Sequence, residues 1–145
     1  MTFSRSTTVN WQGTIMEGTG TLTAGTGAFS TKVTFPRRIG EPEGTTSPEE
    51  LMAGSHAVCF AMVVTGALGR ANAKTTSTTV TCTVTADKGD AGINVVKSEL
   101  VVVAEGLTGI DAAAFDALVK DAKMKCPISK ALNPSIEITV ATSVK

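Results

Sequence analysis

The segment between Leu51 and Leu68 is the feature that most limits how this chain can fold. It is apolar nearly all round, interrupted only by small residues and two polar ones. A helix start precedes it: Ser47 can cap, Pro48 suits the first helical position, and Glu50 lies where a capping-box carboxylate would. The pattern predicts a helix from about Pro48 to Ala71 that must be buried on most of its circumference.

This predicted helix approaches the length of a membrane span. Ser55, His56 and two glycines lower its hydrophobicity, however, and basic flanks are missing. We therefore expect a central core helix rather than a transmembrane one.

Composition and charge narrow the possible partners and location. The chain has 145 residues, with 13 Lys and Arg against 13 Asp and Glu, so a phosphate backbone or an anionic membrane surface would find no net attraction. The length and the 42% hydrophobic content predict a single domain over residues 1–145 with an extensive buried surface. The N-terminal segment lacks a signal-peptide pattern and the three cysteines are odd in number, which favours the cytoplasm and free thiols over disulfides.

The remaining elements are predicted from alternation, turns and caps. A loop is expected from Phe35 to Thr46, which is rich in proline and glycine. After Lys74 an alternating run, a GDAG turn and a returning run predict a long β-hairpin. The other predicted elements are strands at Thr7–Trp11, Thr14–Thr23, Ala28–Phe35 and Ser135–Thr142, and a helix capped by Asp111 and ending near Lys125. This order predicts an α+β fold in which helices pack on antiparallel sheet.

The cysteines are the first candidates for chemistry. Cys59 lies midway along the apolar helix, where it is either a packed core thiol or a reactive one. Cys126 lies at a helix break before Pro127, where amide dipoles of the following turn could stabilise a thiolate; the alternative is an incidental capping residue. Cys82 lies within an alternating strand and is expected to be structural.

His56 shares a helix face with Cys59, three residues further on. It could be a base for the thiol, one half of a metal pair, or a hydrogen-bonded core histidine. A zinc site would need two more ligands, and Cys82 and Cys126 offer sulfur without a closely spaced partner. The sequence therefore gives little indication of a metal site.

Two charged pairs precede the cysteines. Arg37 and Arg38 lie in the predicted loop, where they are either solvated or functional side chains. For Glu49 and Glu50, the simplest role is to stabilise the N-terminus of the helix by their negative charge. Glu49 precedes Cys59 by ten residues, roughly 15 Å along a helix. A joint role for them needs an intervening side chain such as arginine, or a second subunit.

Two segments resemble a known family. TSPEELMAGSHAVCF and AKMKCPISKAL are similar to the segments that carry the two reactive cysteines of the OsmC/Ohr family, which comprises osmotically inducible protein C and organic hydroperoxide resistance protein. VNWQGTIMEGTGTLT, DAG and GIDAAAFD extend the similarity nearly end to end, and His56 before AVC looks like the OsmC branch. The resemblance implies an OsmC-like fold, with β-sheets wrapped around long central helices in an intertwined homodimer. It also implies a peroxidase site at the subunit interface, with no metal or prosthetic group.

The resemblance also implies roles for individual residues. Cys59 corresponds to the peroxidatic cysteine and Cys126 to the resolving one, while Glu49 and Arg38 match the family's glutamate and arginine, with Arg37 as a rival. The implied activity is reduction of organic hydroperoxides, and of hydrogen peroxide less well, by a dithiol such as a dihydrolipoyl group, in oxidative or osmotic stress defence. The alternatives are a non-enzymatic redox sensor and a zinc module built on His56, Cys59 and Cys126.

Overall fold

The computed structural model describes residues 1–145 and divides them into two compact units, an N-terminal unit, Met1–Leu51, and a C-terminal unit, Met52–Lys145. Two three-stranded sheets and four helices confirm the predicted α+β class. In chain order the elements are β1 Thr7–Gln12, β2 Thr19–Ala24, β3 Ser30–Val33, α1 Phe35–Ile39, α2 Pro48–Arg70, β4 Ser77–Gly89, β5 Gly92–Glu105, α3 Ala112–Lys125, α4 Pro127–Leu132 and β6 Glu137–Val144.

The N-terminal unit is built on an antiparallel sheet in the order β1-β2-β3. The prediction of a strand from Thr14 was wrong at its start, because a turn occupies residues 13–18 before β2 begins. Gly13 has a φ of 85° in this turn, and a Cβ there would come within 2.9 Å of Gly18 Cα. Such a conformation and approach suit glycine alone.

Helix α1 replaces the first part of the predicted loop, so the expectation of a loop from Phe35 to Thr46 was wrong for five residues. The Thr34 hydroxyl caps α1 by accepting the backbone N–H of Arg37 at 3.3 Å. Pro36 lies in its first turn, where the missing N–H costs nothing. With Thr34 as the cap, Pro36 lies in the first turn of a helix, although the sequence alone indicated a loop at this proline.

Helix α2 starts as predicted, since the Ser47 hydroxyl accepts the backbone N–H of Glu50 at 3.1 Å. The Glu50 carboxylate instead accepts from the Thr46 hydroxyl at 2.6 Å. Within this chain only one stripe of α2 is buried, formed by His56, Phe60, Val64 and Leu68. The expectation of burial around most of the circumference is therefore not met by a single chain.

The opposite side of α2 is apolar and open. Val58 and Met62 are 58% and 71% exposed. By length and composition α2 could cross a membrane, and it is the one helix here that could. Its exposed apolar side needs a cover in water.

The C-terminal unit contains the hairpin and the third and fourth helices. Strands β4 and β5 pair antiparallel around a tight turn between Gly89 and Gly92, and Asp111 caps α3 through the Ala114 N–H at 2.8 Å, both as predicted. Strand β6 pairs with β5 in parallel, so this sheet is mixed rather than purely antiparallel. The crossover through α3 and α4 is long enough to return the chain in the parallel direction.

Candidate active site

The C-terminal unit brings Cys59 and Cys126 together. The Cys126 thiol lies 3.3 Å from Cys59 Sγ, although 67 positions separate the two residues in sequence. Both are free thiols, and Cys126 is fully buried. A small movement would bring the sulfurs to covalent distance, about 2.05 Å.

A proline places Cys126 against α2. Pro127 keeps the preceding residue out of the helical region, and Cys126 has extended backbone angles, with φ −70° and ψ 120°, between α3 and α4. Its sulfur caps α4 by accepting the Ser129 N–H at 3.5 Å. Cys126 is thus both a cap and the neighbour of Cys59, so capping alone does not account for its position.

The surroundings of Cys59 oppose its ionisation. Burial raises the pKa of the Cys59 thiol, and the adjacent Cys126 raises it further, while a hydrogen bond from the Ile128 backbone N–H partly offsets the rise. Burial acts in this direction because it disfavours the charged form. The two sulfurs are close enough for a disulfide to form after a small movement, but burial favours the neutral form of the Cys59 thiol.

His56 adopts the arrangement of a hydrogen-bonded core histidine. Its ring is fully buried, with Nδ1 2.8 Å from the Ser98 hydroxyl and Nε2 2.8 Å from the Ser129 hydroxyl. Burial lowers the pKa of His56, and the ring packs edge-on against Phe60. Both ring nitrogens are occupied, so neither is free to act as a base for Cys59.

The chain contains no group of three or more His, Cys, Asp or Glu side chains placed to hold a metal ion. The zinc alternative on His56, Cys59 and Cys126 therefore lacks support. Cys82, on β4, lies 3.3 Å from the Ser98 hydroxyl, and burial raises the pKa of its thiol.

Arg38 and Glu49 form a second pair, in the N-terminal unit. The Arg38 Nε lies 3.1 and 3.2 Å from the two Glu49 carboxylate oxygens, and Nη2 lies 2.6 Å from Oε1. The hydrogen bonds from Arg38 lower the pKa of Glu49, and the same bonds raise the pKa of Arg38. Such a forked pair fixes the plane and direction of a guanidinium.

Helix α1 separates the two arginines that the sequence left as rivals. Arg37 pairs with Glu43 at 2.5 Å and donates to the Glu41 carbonyl at 3.4 Å. Only Arg38 points to Glu49. The geometry therefore favours Arg38 as the arginine that acts with this glutamate.

A cavity of about 380 Å³ opens beside Arg38 in the same unit. Apolar side chains such as Trp11, Leu22, Phe35 and Leu51 line it, and Arg38 is its only ionisable residue. An apolar cavity with one oriented charged group suits a small organic molecule with a polar end.

Three features were not predicted from the sequence: Ser98 and Ser129 in the C-terminal unit, and the apolar cavity in the N-terminal unit. Ser129 lies two residues after Pro127, in the first turn of α4, where Cys126 is the cap, so its hydroxyl gives no capping signal in the sequence. Ser98 alternates with other strand residues and gives none. The cavity joins residues from five separate elements and the three segments that connect them, which no local pattern links.

The chain was compared with protein families and known proteins. Residues 40–141 match the family model described as OsmC-like protein. Peroxiredoxin OsmC of Escherichia coli strain K12 is 36% identical over 95% of this chain and 96% of its own length. Organic hydroperoxide resistance protein OhrA of Bacillus subtilis strain 168 is 32% identical over 68% of this chain and 67% of its own length.

Solved structures agree on the fold. Organic hydroperoxide resistance protein OhrB of Bacillus subtilis aligns over 97% of this chain and 98% of its own, with a TM-score of 0.76 and 22% identity. An organic hydroperoxide resistance protein from Elizabethkingia anophelis aligns over 99% of both chains, with a TM-score of 0.76 and 23% identity. The resemblance found in the two cysteine segments and the OsmC-like fold are thus confirmed, and the chain belongs to the OsmC-like protein family.

Proposed function

We propose that this protein is a thiol-dependent peroxidase that reduces organic hydroperoxides, and hydrogen peroxide less well, in defence against oxidative or osmotic stress. Cys59 is the peroxidatic cysteine and Cys126 the resolving one. The observation that carries the proposal is the 3.3 Å separation of their sulfurs. The names of the bacterial relatives, peroxiredoxin and organic hydroperoxide resistance protein, support the same activity.

The reaction has three balanced steps. The Cys59 thiolate attacks one peroxide oxygen, the O–O bond breaks, and the leaving alkoxide takes a proton to become an alcohol, which leaves a sulfenic acid on Cys59. The Cys126 sulfur attacks the Cys59 sulfur, a disulfide forms and water leaves. A dithiol, such as a dihydrolipoyl group, then reduces the disulfide by two exchanges and is itself oxidised. No metal or prosthetic group takes part.

Arg38 and Glu49 supply the charge for the first step. A guanidinium near Cys59 would lower the pKa that burial raises, and it would stabilise the negative charge on the departing oxygen. Glu49 holds Arg38 in one orientation through the fork described above. The apolar cavity beside Arg38 favours an organic substituent on the peroxide over a bare hydroperoxide.

A homodimer completes the proposal. The apolar outer side of α2, including the exposed Val58 and Met62, requires a cover, and a second copy of the chain provides one with the same chemistry. In this proposal the Arg38 guanidinium serves Cys59 at the subunit interface, and residues 1–145 are one domain. The cytoplasm, where structural disulfides are rare and thiols are kept reduced, is the proposed location.

The test is steady-state peroxide consumption with excess dithiol, comparing cumene hydroperoxide with hydrogen peroxide and following the Cys59–Cys126 disulfide by mass spectrometry. Cys59→Ser should abolish turnover, and Cys126→Ser should give one burst followed by overoxidation. Cys82→Ser is the matched control and should keep turnover. Oxidation that stops after one event would indicate a redox sensor instead, and activity retained by Cys59→Ser would contradict the proposal.

A further inference from the structure

A buried polar cluster joins three elements of the C-terminal unit and has no role in the steps above. His56 on α2, Ser98 on β5 and Ser129 on α4 are each at most 1% exposed. Two bonds of 2.8 Å connect them through the two ring nitrogens of His56. Burying three polar side chains is costly unless each finds a partner, and here every buried side-chain nitrogen and oxygen atom has one.

The cluster includes one residue from each of the two helices that hold the sulfurs: α2, which carries Cys59, and α4, which Cys126 caps. His56 lies one turn before Cys59 on α2, while Ser129 lies in the first turn of α4, and its N–H donates to Cys126 Sγ. The bond between His56 and Ser129 therefore links the helix that carries one sulfur to the turn that holds the other. It spans 73 positions in sequence.

The neutral His56 ring is suited to keep both hydrogen bonds, to Ser98 and to Ser129, at the same time. Burial lowers its pKa, so the ring is neutral at neutral pH and has one donor and one acceptor nitrogen. A serine hydroxyl can donate or accept, so either tautomer satisfies both bonds. A long flexible side chain would lose more rotamer entropy on being fixed there.

We propose that His56 is a positioning residue for disulfide formation, acting through its bond to Ser129 to hold the first turn of α4, and with it Cys126, against Cys59. This inference rests on the proposed function for the step it serves, in which the Cys126 sulfur attacks the Cys59 sulfenic acid and water leaves. His56 touches neither the peroxide nor the sulfurs. Its loss should slow disulfide closure while leaving the attack of Cys59 on peroxide much less affected.

Ser129→Ala is the sharpest variant, because it removes the hydroxyl but keeps the backbone N–H that bonds to Cys126. Ser98→Ala is its matched control: it removes an equally short bond to the other nitrogen of the same ring, together with the contact to Cys82, so it costs at least as much stability, but it does not touch α4. Ser129→Thr keeps a hydroxyl and should restore the wild-type behaviour. His56→Leu and His56→Gln test the same bond from α2, since glutamine retains an amide that can reach Ser129.

Two readouts apply to each variant. The first is the equilibrium constant of the Cys59–Cys126 disulfide in dithiothreitol redox buffers, which needs no peroxidase activity. The second is the ratio of disulfide to Cys59 sulfinic acid after a fixed dose of cumene hydroperoxide. We expect Ser129→Ala to lower the equilibrium constant about tenfold, which is the effect of one lost buried hydrogen bond, and to raise the sulfinic fraction. Ser98→Ala should change both by less.

Equal effects of the two alanine variants would overturn the inference, because they would indicate a general loss of stability. An unchanged disulfide constant in Ser129→Ala, or in His56→Leu if the serine variant does not fold, would also overturn it, as would a wild-type protein that forms no Cys59–Cys126 disulfide. A wild type that forms the disulfide but turns over no peroxide would refute the proposed function alone. In that case the redox equilibria would still decide the role of His56.

Discussion

Oxidation of Cys59 and Cys126 to a disulfide is expected to stabilise the folded chain substantially. The two residues lie 67 positions apart, and closing a loop of that size in the unfolded chain removes conformational entropy worth about 4 kcal/mol. Little of this gain should be lost to strain, because the sulfurs are already 3.3 Å apart in the reduced structure. By linkage, the disulfide should form about a thousandfold more favourably in the folded chain than in the unfolded one.

Thermal unfolding of the reduced and oxidised forms measures this difference. For a chain of 145 residues, roughly 3 °C per kcal/mol predicts a Tm that is about 12 °C higher when oxidised. Both forms must be compared at one protein concentration, since association changes the apparent stability. Cys59→Ser should show no such difference. An oxidised wild type no more stable than the reduced protein, with the Cys59–Cys126 bond verified by peptide mapping, would refute the idea that the fold holds the two thiols ready to react.

Three further predictions concern single substitutions. Arg38→Met should move the rising limb of the pH–rate profile at least about one unit higher, because in the proposed site the Cys59 thiolate would lose its guanidinium; Arg38→Lys should shift it less, and an unmoved profile would contradict the proposed role of Arg38. The pKa of Glu49 is lowered in the folded chain by its hydrogen bonds from Arg38. The ionised carboxylate therefore stabilises the fold at pH values above the ordinary glutamate pKa of about 4.3, and this stabilisation is lost as the pH falls through the lower pKa of the folded state. The difference in unfolding free energy between wild type and Glu49→Gln in urea should therefore be full at pH 7 and shrink as the pH falls below the ordinary glutamate pKa; a difference that does not change with pH would exclude this linkage. Phe60→Ala should cost about 3–5 kcal/mol in urea unfolding, since the ring is fully buried; a loss below 1 kcal/mol would mean that the site collapses around the missing ring.

Local signals predicted most of the elements. Ser47 and Asp111 cap their helices as expected, and the residue before Pro127 ends α3. These signals work because a cap or a proline acts on backbone groups within three or four residues. The long hairpin was predicted for the same reason, since its two halves alternate on either side of a short turn.

Contacts between distant segments could not be predicted in the same way. The parallel pairing of β6 with β5 depends on where α3 and α4 deliver the chain. The preference for Arg38 over Arg37 depends on the direction of α1, and that helix depends on a single hydroxyl of Thr34. The bonds of His56 span 42 and 73 positions, a range that no sequence periodicity covers.

The properties of α2 and of Cys59 argue for one missing component rather than two. Burial leaves the Cys59 thiol with a raised pKa, although the proposed chemistry requires a thiolate. The same helix presents Val58 and Met62 to solvent, although its apolar side requires a cover. A small diffusible cation would supply a positive charge near Cys59 but would not cover α2. An unrelated apolar partner would cover α2 but would supply no charge. In the proposed dimer a second copy of this chain would answer both, because it carries the same apolar helix face and a guanidinium that Glu49 orients. If so, dilution below the dimer dissociation constant should lower peroxidase activity and raise the pKa of the Cys59 thiol at the same protein concentration.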